Sequence, residues 1–300
     1  MKLLKSKVIL SLITIFTTAC SNIDTSTDLN NFTNIESVSK SKFKKNGVIK
    51  SKNSIPLEKI DDSTQAQIEL FKKVVDLRKY SSKPTNQGEL SSCTGFAIVR
   101  GAREFLLLKN KKQPYVQLSP LFLYYNERKK EGTLDRDNGA LIETGVKLLK
   151  EQGVVEESNW PYIESKFKDI PPEFLYPRAK KYKVSKVTQL KNLNQIKKSL
   201  DAQNPVVLGV LIFDNFFKVK KDGLVKMPTP EQLENPDKLD SNGETISGWH
   251  AITCIGYNDI KKVLIMKNSW GTDWGDNGYF YLPYTYIRPD LTMDAWSIEE

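Results

Sequence analysis

The chain has 300 residues, 39% of them hydrophobic and 27% charged, with a formal net charge of +9. That length supports one globular domain with a core plus some N-terminal extra, and it is too short for three domains. The lysines behind the charge are scattered and partly concentrated in the N-terminal third, so they read as a solubilising surface rather than a nucleic-acid site. Three cysteines and a single histidine stand far apart, which argues against a metal centre with the usual Cys/His ligand spacing. Neither a metal nor an organic cofactor is expected.

The first twenty residues have a basic start (Lys2, Lys5, Lys7) and an uncharged apolar run from Val8 to Ala19, too short for a membrane span. This is the pattern of an export signal. It ends in Phe16-Thr17-Thr18-Ala19-Cys20, which resembles a bacterial lipoprotein lipobox, where a small residue precedes the cysteine that becomes the lipidated N-terminus. Thr17 departs from the leucine usual three residues before that cysteine. The resemblance implies that residues 1–20 are a lipoprotein signal peptide and that Cys20 carries the lipid. The protein would then be exported and held to the bacterial cell envelope, at the outer membrane or cell surface, by acyl chains buried in the bilayer. An ordinary secretory signal or an uncleaved anchor is the alternative.

From Ser21 to about Ser63 the chain is rich in Ser, Thr, Asn and Lys with only isolated apolar residues, too few to offset the entropy of ordering. Residues 21–72 therefore read as a disordered tether or a short pro-segment. The stretch lacks the long amphipathic pattern that could plug a cleft, which argues against autoinhibition. The domain proper is expected over 73–300.

Helical periodicity dominates to about residue 200, with apolar residues at three-to-four spacing over 94–108, 118–129, 139–151 and 193–201. Strand signals follow at 206–211, 251–257, 263–266 and 279–282. Between them, Lys220 to Ser247 is polar, contains Pro228, Pro230 and Pro236, and reads as a long surface loop.

Asn86 to Ala97 reads NQGELSSCTGFA, and Cys93 stands just before a helical pattern in which Ile98, Ala102, Phe105 and Leu106 share a face. The positive end of a helix dipole favours thiolate over thiol, and a nearby histidine would complete a reactive ion pair. An isolated cysteine in apolar company would otherwise be a core residue, as Cys254 is read to be. Gly248 to Tyr257, GWHAITCIGY, alternates so that His250, Ile252 and Cys254 face one side. A turn centred on Asp259 would return a second strand and set Asn268 opposite His250, where its side chain can fix the imidazole's tautomer and orientation.

Gln87, Gly88, Cys93 and Phe96, together with NSWGTDWGDNGYFY from Asn268 to Tyr281, resemble the papain-like cysteine peptidase family. The resemblance covers about residues 74–288. It implies an α+β, papain-like two-lobe fold: a helical lobe and a β-barrel-like lobe with the active-site cleft between them. It further implies Cys93 as nucleophile, His250 as general base, Asn268 as its orienter and Gln87 as an oxyanion-hole donor. Ser91, Asn138, Gly139 and Trp270 would be substrate-binding positions, with Asn138-Gly139 letting a substrate backbone approach and Trp270 shielding the asparagine to histidine bond. Leu90 replaces a cysteine that usually forms a disulfide, and Thr94 replaces the usual tryptophan. With Cys20 lipidated and Cys93 reactive, no disulfide is expected. The implied activity is hydrolysis of protein or peptide substrates by a monomer. An amide or acyl transferase on the same constellation and an inactive surface-binding module are the alternatives.

Overall fold

Apolar residues spaced every three to four positions make the first part of the domain helical, and apolar runs make the second part a sheet. The computed structural model describes residues 47–50, 57–58, 71–111, 115–241 and 243–300. The export signal and Cys20 lie outside these residues.

Helix α1 runs without interruption over residues 93–109. It opens with the turn Cys93–Gly95, continues as the π-helix Phe96–Arg103 and closes as the α-helix Glu104–Lys109. The π-helical middle is not a feature that periodicity reveals. Helix α2, Pro120–Glu131, starts where Ser119 Oγ accepts the Phe122 N–H at 3.1 Å with proline in its first turn, and it ends at Gly132 in the left-handed region. Helix α3, Ile142–Glu151, begins three residues later than the spacing predicts because Gly139 has a φ of 87°. Helix α4, Leu193–Asp201, is capped by Asn192.

The strands are β1 (Val74–Asp76), β2 (Lys186–Gln189), β3 (Val206–Phe213), β4 (Ser247–Asn258), β5 (Val263–Lys267), β6 (Tyr279–Pro283) and β7 (Thr292–Glu299). They form one antiparallel sheet in the order β2-β7-β3-β4-β5-β6, with β1 paired to β4. Every residue of β3 is buried, as expected of its unbroken apolar run. Strands β1, β2 and β7 carry weak sequence signals, being very short, polar, or interrupted by Asp294 and Ser297. The polar stretch 220–247 is a loop that holds one short helix, Pro230–Glu234, closed by a capping box between Thr229 and Gln232.

The hairpin of β4 and β5 departs from the simple register. Lys267 pairs with Thr253, and the pairing shifts between Cys254 and Gly256. Asn258 pairs with Val263, so the turn lies past Asp259 and sets Asn268, one step past β5, diagonal to His250 rather than directly opposite; the bulge takes back one residue of that offset.

The turn residue Asp259 is tied to α4. Its carboxylate oxygens accept from Lys197 Nζ at 2.8 and 2.7 Å, and Tyr284 Oη donates to it at 2.7 Å. Lys197 is buried, with its ammonium also over the Tyr257 ring. Removing one partner of such a pair strands the other charge. Asp259→Ala should therefore cost about 3–5 kcal/mol, read as a lower urea midpoint with an unchanged slope.

Candidate functional site

Cys93 opens α1, and β4 runs past it. The Cys93 sulfur accepts the Ala251 N–H at 3.4 Å, so the thiol lies against the backbone of the residue following His250. Cys93 and His250 are both fully buried. The imidazole Nε2 is 2.9 Å from Asn268 Oδ1, which also accepts the Ser269 N–H at 2.8 Å. With its oxygen held on both sides, Asn268 accepts a hydrogen bond from Nε2–H, which leaves Nδ1 as the unprotonated, basic nitrogen. Nδ1 is buried and makes no hydrogen bond. The Trp270 ring stacks on His250 at 5.0 Å, and Phe217 stacks on the indole at 5.2 Å. Together they make an aromatic wall over the asparagine to histidine bond. Sequence reading found Trp270 but had no signal for Phe217.

Gln87 is held from several sides. Its Oε1 accepts from Ser269 Oγ at 2.5 Å, one N–H of Nε2 donates to Leu90 O at 2.9 Å, and its own N–H donates to Ser269 O at 2.9 Å. Tyr162 Oη donates to Gln87 O at 2.6 Å and lies 2.7 Å from Ser92 Oγ. The structure thus brings Gln87, Cys93, His250, Asn268 and Trp270 together. Ser91 is present in a different way than its hydroxyl suggests: its N–H and Oγ are both engaged with Asp137. Only its carbonyl approaches the cleft. Asn138 is exposed, and Gly139 is buried with its N–H donated to Tyr124 Oη at 3.3 Å. Thr94, in the usual tryptophan position, donates its hydroxyl to the buried Glu127 at 2.7 Å. Cys254 is a buried core residue.

The cleft is crossed by the chain's own N-terminal segment. Gly47 N–H and Val48 N–H both approach Trp249 O, at 3.1 and 3.3 Å. Ile49 N–H donates to Ala140 O at 3.0 Å, and Ala140 N–H donates to Gly47 O at 3.3 Å, making a parallel bridge. Gly47 lies so close to the nucleophile position that an added Cβ would stand 2.4 Å from Cys93 Sγ. On the other wall, a Cβ on Gly139 would stand 2.6 Å from the Gly47 carbonyl carbon and oxygen. Both glycines are needed for this approach. Further along, Leu57 is buried and Glu58 N–H donates to Lys191 O at 2.6 Å. The expectation that this polar stretch leaves the cleft free does not hold for Gly47–Ile49, because backbone hydrogen bonds seat them without any amphipathic helix. Composition carries no trace of that pairing.

Burial decides the charge state here. Loss of water pushes the Cys93 thiol up to about 12, with the nearby Glu127 carboxyl adding to the effect, and pushes the His250 imidazole down to about 4. At neutral pH both groups are uncharged beneath the segment. Glu127 itself is raised to about 8 by burial.

The family model for papain family cysteine proteases matches residues 71–287. An uncharacterized peptidase C1-like protein of Acanthamoeba polyphaga mimivirus is 34% identical over 93% of this chain and 89% of its own length. The viral cathepsin of a Cydia pomonella granulosis virus is 28% identical over 74% of this chain, which spans 59% of that cathepsin. Among solved structures, xylellain, a cysteine protease from Xylella fastidiosa, superposes with a TM-score of 0.72 at 28% identity, covering 87% of this chain and 98% of its own. A Carica candamarcensis cysteine protease in complex with E-64 shares the fold, with a TM-score of 0.54 at 20% identity over 76% of this chain and 99% of its own. The α+β architecture and the family match agree, and the chain belongs to the papain family of cysteine proteases.

Proposed function

We propose that this protease cleaves peptide bonds with Cys93 as nucleophile and His250 as general acid and base, and that residues 47–49 keep it latent. The observation that carries the reading is the His250–Asn268 hydrogen bond beside a cysteine at the start of α1. With the cleft open, the Cys93 thiolate attacks the substrate carbonyl. His250 gives its proton to the leaving amine and then activates the water that hydrolyses the thioester. The Cys93 N–H and the second N–H of Gln87 Nε2 serve as donors to the oxygen that becomes negative in the tetrahedral intermediate, each worth on the order of a hundredfold or more in turnover. Gly139 and Ala140 offer a backbone edge to the substrate, as they do to Gly47–Ile49.

The segment supports latency rather than self-cleavage. Its Gly47 carbonyl accepts from Ala140 N–H, and Gln87 Nε2 donates to Leu90 O. By excluding water the segment also holds thiol and imidazole neutral. The sequence from Val8 to Cys20 supports export and lipid anchoring through Cys20 at the bacterial envelope, and the protein's substrates are then met outside the cytoplasm.

Incubation of the full chain carrying Gly47→Leu with an epoxide thiol probe, followed by peptide mass mapping, should place the label on Cys93. Cys93→Ala should abolish it and His250→Ala should weaken it greatly; undiminished labelling in either variant refutes the pairing. In Gly47→Leu the side chain has no room over Cys93, so the segment should leave the cleft, water should lower the thiol's pKa, and alkylation at pH 7 should speed up about tenfold or more. Equal rates in Gly47→Leu and the parent would rule out latency by this segment and leave the catalytic reading untouched. Expressed in a bacterium, the parent should sediment with membranes and Cys20→Ser should not, as judged by immunoblot of the two fractions.

A further inference from the structure

Beyond the reacting groups, α1 meets the β4–β5 hairpin at a second, wholly buried polar junction. The π-helical stretch Phe96–Arg103 is the unusual element there, since π-helices are rare and interrupt the normal pairing of backbone carbonyls. Two carbonyls of this stretch bond to side chains of the hairpin. Ala97 O accepts from Thr253 Oγ1 at 2.8 Å, and Arg100 O accepts from Lys267 Nζ at 2.8 Å. Ser82 Oγ joins the second site, donating to Arg100 O at 3.2 Å and lying 2.9 Å from Lys267 Nζ. Thr253 and Lys267 are directly opposed in the β4–β5 register, so one cross-strand pair reaches both carbonyls.

The fit is tight. A Cβ on Gly101 would stand 1.8 Å from Thr253 Oγ1, so only glycine lets the hydroxyl reach into the helix. Lys267 is buried, and burial pushes its ammonium down to about 8 despite the neighbouring Glu104. The other charges at this junction are Arg100, 3.5 Å from Glu104 and 3.0 Å from Glu157. A lysine kept here at such a desolvation cost, with a threonine cut into a helix beside it, marks a contact that sets position rather than adding apolar area.

Its place in the chain says what it positions. Thr253 follows His250 on β4, Lys267 immediately precedes Asn268, and Ala97 and Arg100 lie one and two turns after Cys93. We propose that Thr253 and Lys267 are positioning residues that lock α1 against β4–β5 and so set the distance between the Cys93 sulfur and His250 Nδ1. A slip of about 1 Å between a nucleophile and its base can cost roughly a hundredfold in rate. This inference rests on Cys93 and His250 being the reacting pair.

The test reads the pH profile of Cys93 alkylation by iodoacetamide in the full chain carrying Gly47→Leu, into which each further substitution is introduced. Thr253→Val keeps the shape and removes the hydroxyl. It should lower the rate at pH 6.5 about tenfold or more and move the rising limb up by about one pH unit, since a displaced imidazole no longer stabilises the thiolate. Thr253→Ser should restore the profile. If Thr253→Val does not fold, Lys267→Gln carries the same expectation. A purely structural staple would lower the urea midpoint of these variants while leaving the alkylation profile of the folded protein unchanged, and that result overturns the proposal. Failure of the catalytic assignment looks different: the label would then fall elsewhere than Cys93 in Gly47→Leu itself.

Discussion

The packing of α1 against β4 is the constraint on which everything else in this protein depends, because the thiol belongs to the helix and the imidazole to the strand. Neither element alone contains a reactive pair. The contact is made by backbone and small groups: Ala251 N–H on the Cys93 sulfur, Thr253 Oγ1 on the Ala97 carbonyl, and Gly101 leaving space between them. Side chains this short have few rotamers, so little freedom is available for the two lobes to slide. The aromatic stack of Phe217, Trp270 and His250 then fixes the ring, and Asn268 fixes its tautomer.

The same burial that makes the junction rigid governs its electrostatics. With Gly47–Ile49 across the cleft, burial favours the neutral thiol and the neutral imidazole, which in the proposed mechanism is the inert form of the pair. Nothing in the catalytic geometry has to be broken to achieve this. Moving a few residues of backbone admits water, reduces the cost of charge separation, and lets the helix dipole favour the thiolate. Latency and activity are in this view two solvation states of one arrangement.

Loss of the disulfide position at Leu90 is met by polar pins on the loop ahead of Cys93. Glu164 accepts the Glu89 N–H at 2.8 Å, Asp137 accepts the Ser91 N–H at 3.0 and 3.1 Å, and Tyr162 bridges Gln87 and Ser92. The Phe96 ring meets Tyr162 edge-on at 4.7 Å. Thr94 fills the usual tryptophan position differently, turning inward to the Glu127 carboxyl rather than outward over the cleft. The protein therefore keeps the family's architecture with this loop held by hydrogen bonds.

What the sequence determined by itself was the family and the class of fold, together with the candidate residues that the fold brings to one place. Cys93 ahead of a helical period, His250 on an alternating strand and Asn268 past the next strand are local patterns, and local patterns survive in one dimension. The periods over 193–201 and 206–211 likewise match α4 and β3, since one buried face or an unbroken apolar run leaves a direct imprint. Only the tertiary structure decided the rest. A β4–β5 turn lying past Asp259 moved Asn268 off the direct pairing, and β7 joined β2 and β3 in the sheet despite polar residues that have buried neighbours to bond. The seat of Gly47–Ile49 depends on backbone groups of Trp249 and Ala140 and on glycine at 47 and 139, whose need appears only once the segments are together. The clamp of Thr253 and Lys267 depends on two carbonyls of a π-helical stretch. Backbone hydrogen bonds between distant segments carry no side-chain signature, and for that reason the parts of this protein made from them became visible only in three dimensions.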